Sequence, residues 1–289
     1  MFLADGWKDY KIIDCSNGEK LERWADKILV RPDPQIAWKT DNPAKEWNTA
    51  DARYNRSKTG GGSWQCYKKL PDSWTVSYKN LTFGIKPMGF KHTGLFPEQA
   101  ANWDWFSKLI KDEGNREINV LNLFAYTGGA TVAAAAAGAK VCQVDASKGM
   151  VTWAKENAAL SGLSEHPIRY IVDDVKKFVQ REIRRGHKYD GIIMDPPSYG
   201  RGPGGEVFKI ENEIFDLIEL CSQLLPENPL FFLVNSYTTG LSGSVMKNII
   251  KLTIGKNFGG IITSDEIGLP IENSGLVLPC GYSTRWQRG

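Results

Sequence analysis

The sequence predicts an α/β protein: a Rossmann-like seven-stranded sheet with a small β-rich domain in front of it. Three observations predict this. From about Ile118 onward, short apolar runs alternate with helical stretches, the signature of βαβ units around a mostly parallel sheet buried on both faces. A turn with two glycines, Gly128 and Gly129, follows the first of those runs and opens an alanine-rich helix that continues to Gly138. Residues 1 to about 100 instead hold short extended pieces separated by Gly, Pro and Asn. At 289 residues the chain exceeds the usual size of one core, so two domains are expected, 1–100 and 101–289.

In the first domain, Lys11 to Cys15, Lys27 to Arg31 and Trp74 to Tyr78 read as strands, and Tyr54 to Ser63 reads as an exposed loop or hairpin turn. In the second, strands are expected near Ile118 to Tyr126, Lys140 to Ala146, Ile168 to Asp173, Tyr189 to Asp195, Pro229 to Ser236, Gly260 to Ser264 and Leu276 to Tyr282. A helix from about Ser147 to Leu160 starts on a serine suited to capping and ends at Ser161-Gly162. The next helix is the clearest: Val175, Phe178, Val179 and Ile183 recur at helical spacing among basic residues, and Gly186 stops it.

Hydrophobic residues make up 42% and charged residues 24%, which excludes a wholly disordered or fibrous chain. A net charge of +3 neither demands nor excludes a nucleic-acid partner. Five cysteines lie far apart without a C-x-x-C pair, so neither a disulfide framework nor a cysteine zinc site is expected, and no metal is required. A reducing cytoplasm fits that usage. The N-terminus lacks an apolar core stretch, and no later segment approaches the roughly eighteen apolar residues of a membrane span, so neither secretion nor membrane spanning is expected.

The candidate chemistry sits where strands end. Phe124, Ala125, Tyr126, Thr127, Gly128 and Gly129 form a strand-to-helix turn, either a tight turn only or a backbone cradle in which a helix N-terminus offers N–H groups to a ligand. Asp145 ends the next strand, where nucleotide-binding folds place an acid on ribose hydroxyls; the alternative is a helix cap, which Ser147 serves equally well. Asp173 and Asp174 end the third strand, as adenine contacts or as caps. The fourth ends in Asp195-Pro196-Pro197-Ser198-Tyr199, whose prolines fix the backbone and leave the carbonyls of Asp195 and Pro196 as acceptors for a planar amino group. Tyr199 would stack on a base or be a surface residue of a turn. Gly200 to Gly205 would be a flap over the site or an ordinary long loop.

Taken together, N-L-F-A-Y-T-G-G (Asn122 to Gly129), V-D-A-S-K (Val144 to Lys148), D-D-V (Asp173 to Val175) and D-P-P-S-Y-G (Asp195 to Gly200) resemble class I S-adenosylmethionine-dependent methyltransferases. More narrowly, the chain is similar to the family of bacterial large-subunit ribosomal RNA cytosine-5 methyltransferases. The similarity extends upstream to K-H-T-G-L-F-P-E-Q (Lys91 to Gln99) and covers about Phe90 to Tyr237. It implies a seven-stranded methyltransferase sheet, with Phe96 and Gln99 bordering the methionine end of the cofactor and Phe124 to Gly129 as its cradle. Asp145, with Ala146 and Ser147, would hold the ribose. Asp174, with Asp173 beside it, would meet the adenine. Asp195, Pro196, Pro197 and Tyr199 would face methyl transfer, and Asp195 also the cofactor.

One departure changes the expected chemistry. Cytosine-5 methylation needs a cysteine thiolate to attack the base first. In family members with that activity the cysteine follows the fifth strand, where this sequence has V-N-S-Y (Val234 to Tyr237). Cys142 and Cys221 fall on a strand and a helix expected in the core, and Cys280 is the remaining candidate. Transfer to a base nitrogen of ribosomal RNA is therefore expected ahead of a base oxygen, with Asp195 orienting or accepting a proton. The alternatives are a protein or small-molecule methyltransferase, a non-catalytic RNA-binding protein that keeps the cofactor fold, and a nicotinamide dehydrogenase, whose G-x-G-x-x-G spacing the turn Tyr126-Thr-Gly-Gly-Ala-Thr131 lacks. Eight of the ten tryptophans lie at or before Trp105 among basic residues, as an RNA surface or as a small domain's core. The basic helix from Lys176 to Lys188 is a solvated face or a phosphate track.

Overall fold

A computed structural model describes residues 1–57, 61–201, 207–237 and 240–289. The strands are β1 (Phe2–Leu3), β2 (Tyr10–Ser16), β3 (Glu19–Trp24), β4 (Lys27–Pro32), β5 (Ala52–Arg56), β6 (Gly62–Cys66), β7 (Trp74–Tyr78), β8 (Leu81–Ile85), β9 (Asn119–Leu123), β10 (Lys140–Asp145), β11 (Ile168–Val172), β12 (Gly191–Met194), β13 (Tyr199–Arg201), β14 (Val207–Lys209), β15 (Phe231–Ser236), β16 (Ile261–Pro270) and β17 (Val277–Gln287). The helices are α1 (Ala100–Asp112), α2 (Gly129–Ala136), α3 (Lys148–Leu160), α4 (Val175–Arg184), α5 (Ile210–Ser222), α6 (Gly243–Ile250) and the short α7 (Lys256–Phe258). No helix among the described residues is long and apolar enough to cross a membrane.

The chain divides into two compact units. One comprises Leu3–Ala101 with Ile267–Cys280, the other Met1–Phe2, Asn102–Glu266 and Gly281–Gly289. The sequence division at residue 100 leaves Ile267–Cys280 in the second domain, whereas this segment joins the β-rich unit. Ile271 bridges Ile12, Glu272 N donates to Ile12 O at 3.0 Å, and Asn273 N donates to Ile13 O at 2.9 Å. Such pairing across more than half the chain leaves no local mark in the sequence.

The β-rich unit carries a five-stranded sheet, β2-β3-β4-β5-β6, and the β7–β8 hairpin. Ile13, Leu21, Val30 and Ala50 form its core, with Trp47 packed against it. Trp24 is fully buried, 4.5 Å from the Tyr10 ring, Trp47 Nε1 donates to Asp14 Oδ2 at 2.9 Å, and Trp64 Nε1 donates to the Met88 carbonyl at 2.9 Å. These tryptophans thus serve the unit's own packing. The buried Glu22 accepts from Arg31 Nε at 2.6 Å and from Tyr10 OH at 2.6 Å. The expected turn in Tyr54 to Ser63 is the β5–β6 hairpin, and Lys58, Thr59 and Gly60 at its tip lie outside the described residues.

The second unit holds the large sheet, ordered β1-β16-β17-β15-β12-β9-β10-β11. β11, β10, β9, β12 and β15 run parallel, and β17 is antiparallel to β15. The seven expected strands are present; the eighth, β1, is two residues long and too short to show alternation. One core gathers Leu121, Leu123, Val144, Ile192, Met194, Phe232 and Val234 from the sheet with Phe178, Ile214 and Leu217 from the helices. Burying each of these large side chains is worth roughly 1.5–3 kcal/mol. Because β9 sends its crossover to β10 on one side and has β12 on the other, the strand order reverses between β9 and β12, where open α/β sheets bind ligands beyond the strands' C-terminal ends.

The α4 helix answers the question about its charges. Glu182, fully buried, gathers Arg169 Nη1 at 3.2 Å, Arg185 Nη1 at 3.1 Å, His187 Nδ1 at 2.8 Å and Tyr189 OH at 2.7 Å. Arg181 pairs with Asp173 and Lys176 with Glu213. Several of the helix's charges are thereby matched within the unit.

Candidate active site

The turn after β9 is built on three residues in the left-handed region: Phe124 at φ 56°, Tyr126 at φ 51° and Gly128 at φ 79°. For Phe and Tyr this conformation is strained, about 1–3 kcal/mol each, and such strain collects at functional sites. Buried side-chain amides hold the turn in place. Gln143 Nε2 from β10 donates to the Tyr126 carbonyl at 3.3 Å, and Asn157 Nδ2 from α3 donates to the Thr127 carbonyl at 2.8 Å. Asn122 Nδ2 donates to Thr131 Oγ1 at 2.9 Å, tying the strand to the first turn of α2. Sequence reasoning missed Asn122, Gln143 and Asn157. Their one signal is polarity inside otherwise apolar elements, in V-C-Q-V and in E-N-A-A-L.

The two glycines serve packing more than ligand approach. A Cβ on Gly128 would stand 2.7 Å from Ala154 Cβ, and one on Gly129 would stand 2.8 Å from Trp103 Cζ2. Both positions press the start of α2 against neighbouring protein. Ala125 and Thr127 are buried, while Phe124 and Tyr126 are half-buried.

At the end of β10, Asp145 accepts from Tyr126 N on Oδ2 and from Ser147 N on Oδ1, both at 2.8 Å. Burial pushes this carboxyl above its usual range, outweighing the two amide hydrogen bonds. Ser147, not Asp145, caps α3, accepting from Met150 N at 3.5 Å, and Ala146 between them is exposed. Asp145 stands beside Val172 of β11, an apolar side chain 49% exposed. Asp173 accepts from Asp174 N at 2.8 Å and pairs with Arg181, whereas Asp174 caps α4 by accepting from Lys177 N at 2.8 Å.

Beyond β12, Asp195 is half-buried with its N donating to Leu123 O at 3.4 Å; Pro196 is buried, Pro197 exposed, and Tyr199 49% exposed at the start of β13. Gly200 and Arg201 of the expected flap pair with Phe208 and Val207 in a hairpin, and the intervening residues 202–206 lie outside the described residues. On the adjacent β15, Asn235 Oδ1 accepts from Ser283 Oγ at 2.7 Å and from Asn102 Nδ2 at 3.1 Å, and Arg285 Nε donates to Asn102 at 2.9 Å. Gly281 closes on this strand end, since a Cβ there would stand 2.7 Å from the Ser236 carbonyl. This support comes from α1 and β17 and was invisible in the motifs.

The parallel sheet thus brings Phe124–Gly129, Asp145–Ser147, Asp173–Asp174 and Asp195–Tyr199 to one edge. Phe96 and Gln99 belong to the β-rich unit, flanking and ending a 3-10 turn in which Gln99 N donates to Phe96 O at 3.1 Å. Cys142 and Cys221 are buried in the core, and burial pushes the Cys142 thiol up to about 11. Burial likewise raises the thiols of Cys15, Cys221 and Cys280. Among the described residues no group of three or more His, Cys, Asp or Glu is arranged to hold a metal ion.

Residues 46–241 match a family model described as S-adenosylmethionine-dependent methyltransferase. The crystal structure of the SAM-dependent methyltransferase from Agrobacterium tumefaciens is 36% identical, covers 100% of this chain and 93% of its own, and superposes with a TM-score of 0.94. Among curated proteins, the ribosomal RNA large subunit methyltransferase K/L of Colwellia psychrerythraea is 27% identical over 215 residues, 74% of this chain and 27% of its own length. That of Magnetococcus marinus is 33% identical over 213 residues, 72% and 26%. The chain therefore spans about a quarter of the length of these curated relatives. With a strained strand-to-helix turn, acids at the C-terminal ends of β10, β11 and β12, and a family match over these very elements, the chain belongs to the S-adenosylmethionine-dependent methyltransferases.

Proposed function

We propose that the protein methylates a base nitrogen of ribosomal RNA. The observation that carries nitrogen over carbon 5 is Tyr237 directly after β15, where the resembled cytosine-5 enzymes carry a thiolate, together with four of the five cysteines held as thiols by burial. The ribosomal substrate is supported by the names of the curated relatives.

The residues at the sheet edge fit S-adenosylmethionine. Each oxygen of Asp145 spends one lone pair on a backbone amide and keeps another for a ribose hydroxyl. Exposed Val172 beside it offers an apolar contact to the adenine, with Asp174, and Asp173 next to it, at the purine's edge. Ala146 and Ser147 complete the ribose side, and Phe124 to Gly129 form the cradle. When bound, the cofactor supplies an already activated methyl group. The chain's own work is alignment and water exclusion. Pro196 and Pro197 hold the backbone so that the carbonyls of Asp195 and Pro196 accept from an exocyclic amine, Tyr199 stacks on the base, and the Asp195 carboxylate orients the amine and takes its proton. The β-rich unit is the substrate-recognition part, with exposed Tyr67 and Lys69 as candidates for RNA contact.

Transfer of labelled methyl from S-adenosylmethionine into ribosomal RNA from a strain lacking the gene, followed by nucleoside analysis, tests this. Label in an N-methylated base is the expected result. Label in 5-methylcytidine overturns the nitrogen assignment, and cofactor binding without label in RNA overturns the substrate and points to a protein or small-molecule acceptor.

A further inference from the structure

The hairpin that follows the D-P-P segment has two unlike faces. Tyr199 pairs with Lys209, Gly200 with Phe208 and Arg201 with Val207, and Ile210 N donates to Ser198 O at 3.2 Å, tying the returning strand to the end of the motif. Cross-strand partners share a face and successive residues alternate. Gly200 and Phe208 therefore lie on one face, and Phe208 packs against the core with its ring 6.0 Å from that of Phe124. Tyr199, Val207 and Lys209 lie on the other, where the first two are 49% and 48% exposed and the lysine is exposed. A two-stranded ribbon is marginal by itself, and the Phe208 footing is one of the contacts that hold this one, beside the bond from Ile210 N to Ser198 O.

From this arrangement we infer that the outer face of the hairpin binds the nucleotide flanking the methylated base in a single-stranded RNA acceptor, and that its footing on Phe124 couples RNA binding to cofactor binding. This rests on the RNA reading above. With Tyr199 stacked on the base being methylated, exposed Val207 on the same face offers an apolar contact to the flanking base, and Lys209, directly across from Tyr199, supplies the charge for the phosphate that joins the two nucleotides. The face continues without a break from the segment that receives the base. Two residues of strand extend about 7 Å, enough for one further nucleotide at roughly 3.4 Å per step. Phe124 belongs to the strained turn at φ 56°, so the loop that holds the cofactor also sets the height of the hairpin. Coupling of this kind is reciprocal: S-adenosylhomocysteine tightens RNA binding by the factor by which RNA tightens S-adenosylhomocysteine.

The test uses the full chain and a single-stranded ribosomal RNA oligonucleotide that accepts label, titrated at several salt concentrations with and without S-adenosylhomocysteine, alongside steady-state methylation. Tyr199→Ala is expected to raise the RNA Kd and KM about tenfold or more. Lys209→Ala is expected to raise both and to lower the salt slope by about one, while Lys247→Ala on α6 serves as a control that changes neither. Phe208→Leu, which keeps apolar bulk, is expected to preserve each separate affinity within about threefold and to bring the coupling factor toward one. Methylation of RNA with wild-type KM in both Tyr199→Ala and Lys209→Ala overturns the hairpin assignment alone. Unchanged coupling in Phe208→Leu overturns the footing. A wild type that methylates no RNA overturns the RNA reading, and the assignment with it.

Discussion

Replacing Asp145 by Asn removes the charge from a group that holds the backbone of the turn and, on the proposed function, the ribose. The carboxylate accepts from Tyr126 N and Ser147 N at 2.8 Å, one on each oxygen. An Asn keeps one acceptor oxygen and turns an NH₂ toward one of those N–H donors, so one internal bond becomes a repulsion. Toward the ligand, one hydroxyl loses its acceptor and the other keeps a neutral one. Hydrogen bonds to charged groups are worth about 1.5–3 kcal/mol, so the combined loss in cofactor binding is about 2–4 kcal/mol, or about 30- to 700-fold in Kd at 1.4 kcal/mol per tenfold. Isothermal titration of S-adenosylhomocysteine into both proteins measures this. Acidity supplies an independent arm. The ionised carboxylate is the binding form, and burial raises its folded-state pKa, so protons compete at a higher pH than for an ordinary aspartate. Wild-type affinity should fall on acidification beginning above the usual carboxylate range, and the Asn variant should lack that fall. A Kd within threefold of wild type at neutral pH would refute the ribose assignment.

Glu182 governs acid stability. Burial by itself would raise its carboxyl, but the hydrogen bonds from Tyr189, His187, Arg185 and Arg169 outweigh this and bring it to about 2. A depressed folded-state value contributes stability that is present above the unfolded value, ordinarily about 4.5, and is lost as pH falls from there through about 2. Glu182→Gln is expected to cost about 3 kcal/mol at pH 7 and to flatten the pH dependence in that window; urea unfolding at pH 7 and at pH 3 measures both, and equal losses at the two values would contradict the linkage. Gly128→Ala places a Cβ at φ 79° and 2.7 Å from Ala154. It is expected to lower stability by about 2 kcal/mol or more and to weaken cofactor binding. A thermal melt and affinity indistinguishable from wild type would show that the turn relaxes freely.

The motif residues were legible because they occupy stereotyped places: a strand's last residue, a helix cap, a proline pair that stops a strand. Ser147 caps α3 while Asp145 accepts from Tyr126 N and Ser147 N, which removes the helix-cap reading of Asp145 that local pattern alone left open. The helix from Lys176 to Lys188 shows the limit of such reading. The acid within it, Glu182, points inward and collects Arg169, His187 and Tyr189 from outside α4 as well as Arg185 at helical i,i+3 spacing.

By itself the sequence determined the alternation of strands and helices, the strand-end acids and the missing thiol, because side-chain periodicity, turn chemistry and residue identity are local properties. Only the tertiary structure decided that Gln143 and Asn157 clamp the cradle, that Asn102, Ser283 and Arg285 brace Asn235, and that Ile267–Cys280 returns to the β-rich unit. Each of these joins groups distant along the chain. Buried polar atoms must find partners wherever packing brings them, and which partners meet is set by the sheet order, not by the neighbours of either residue in sequence.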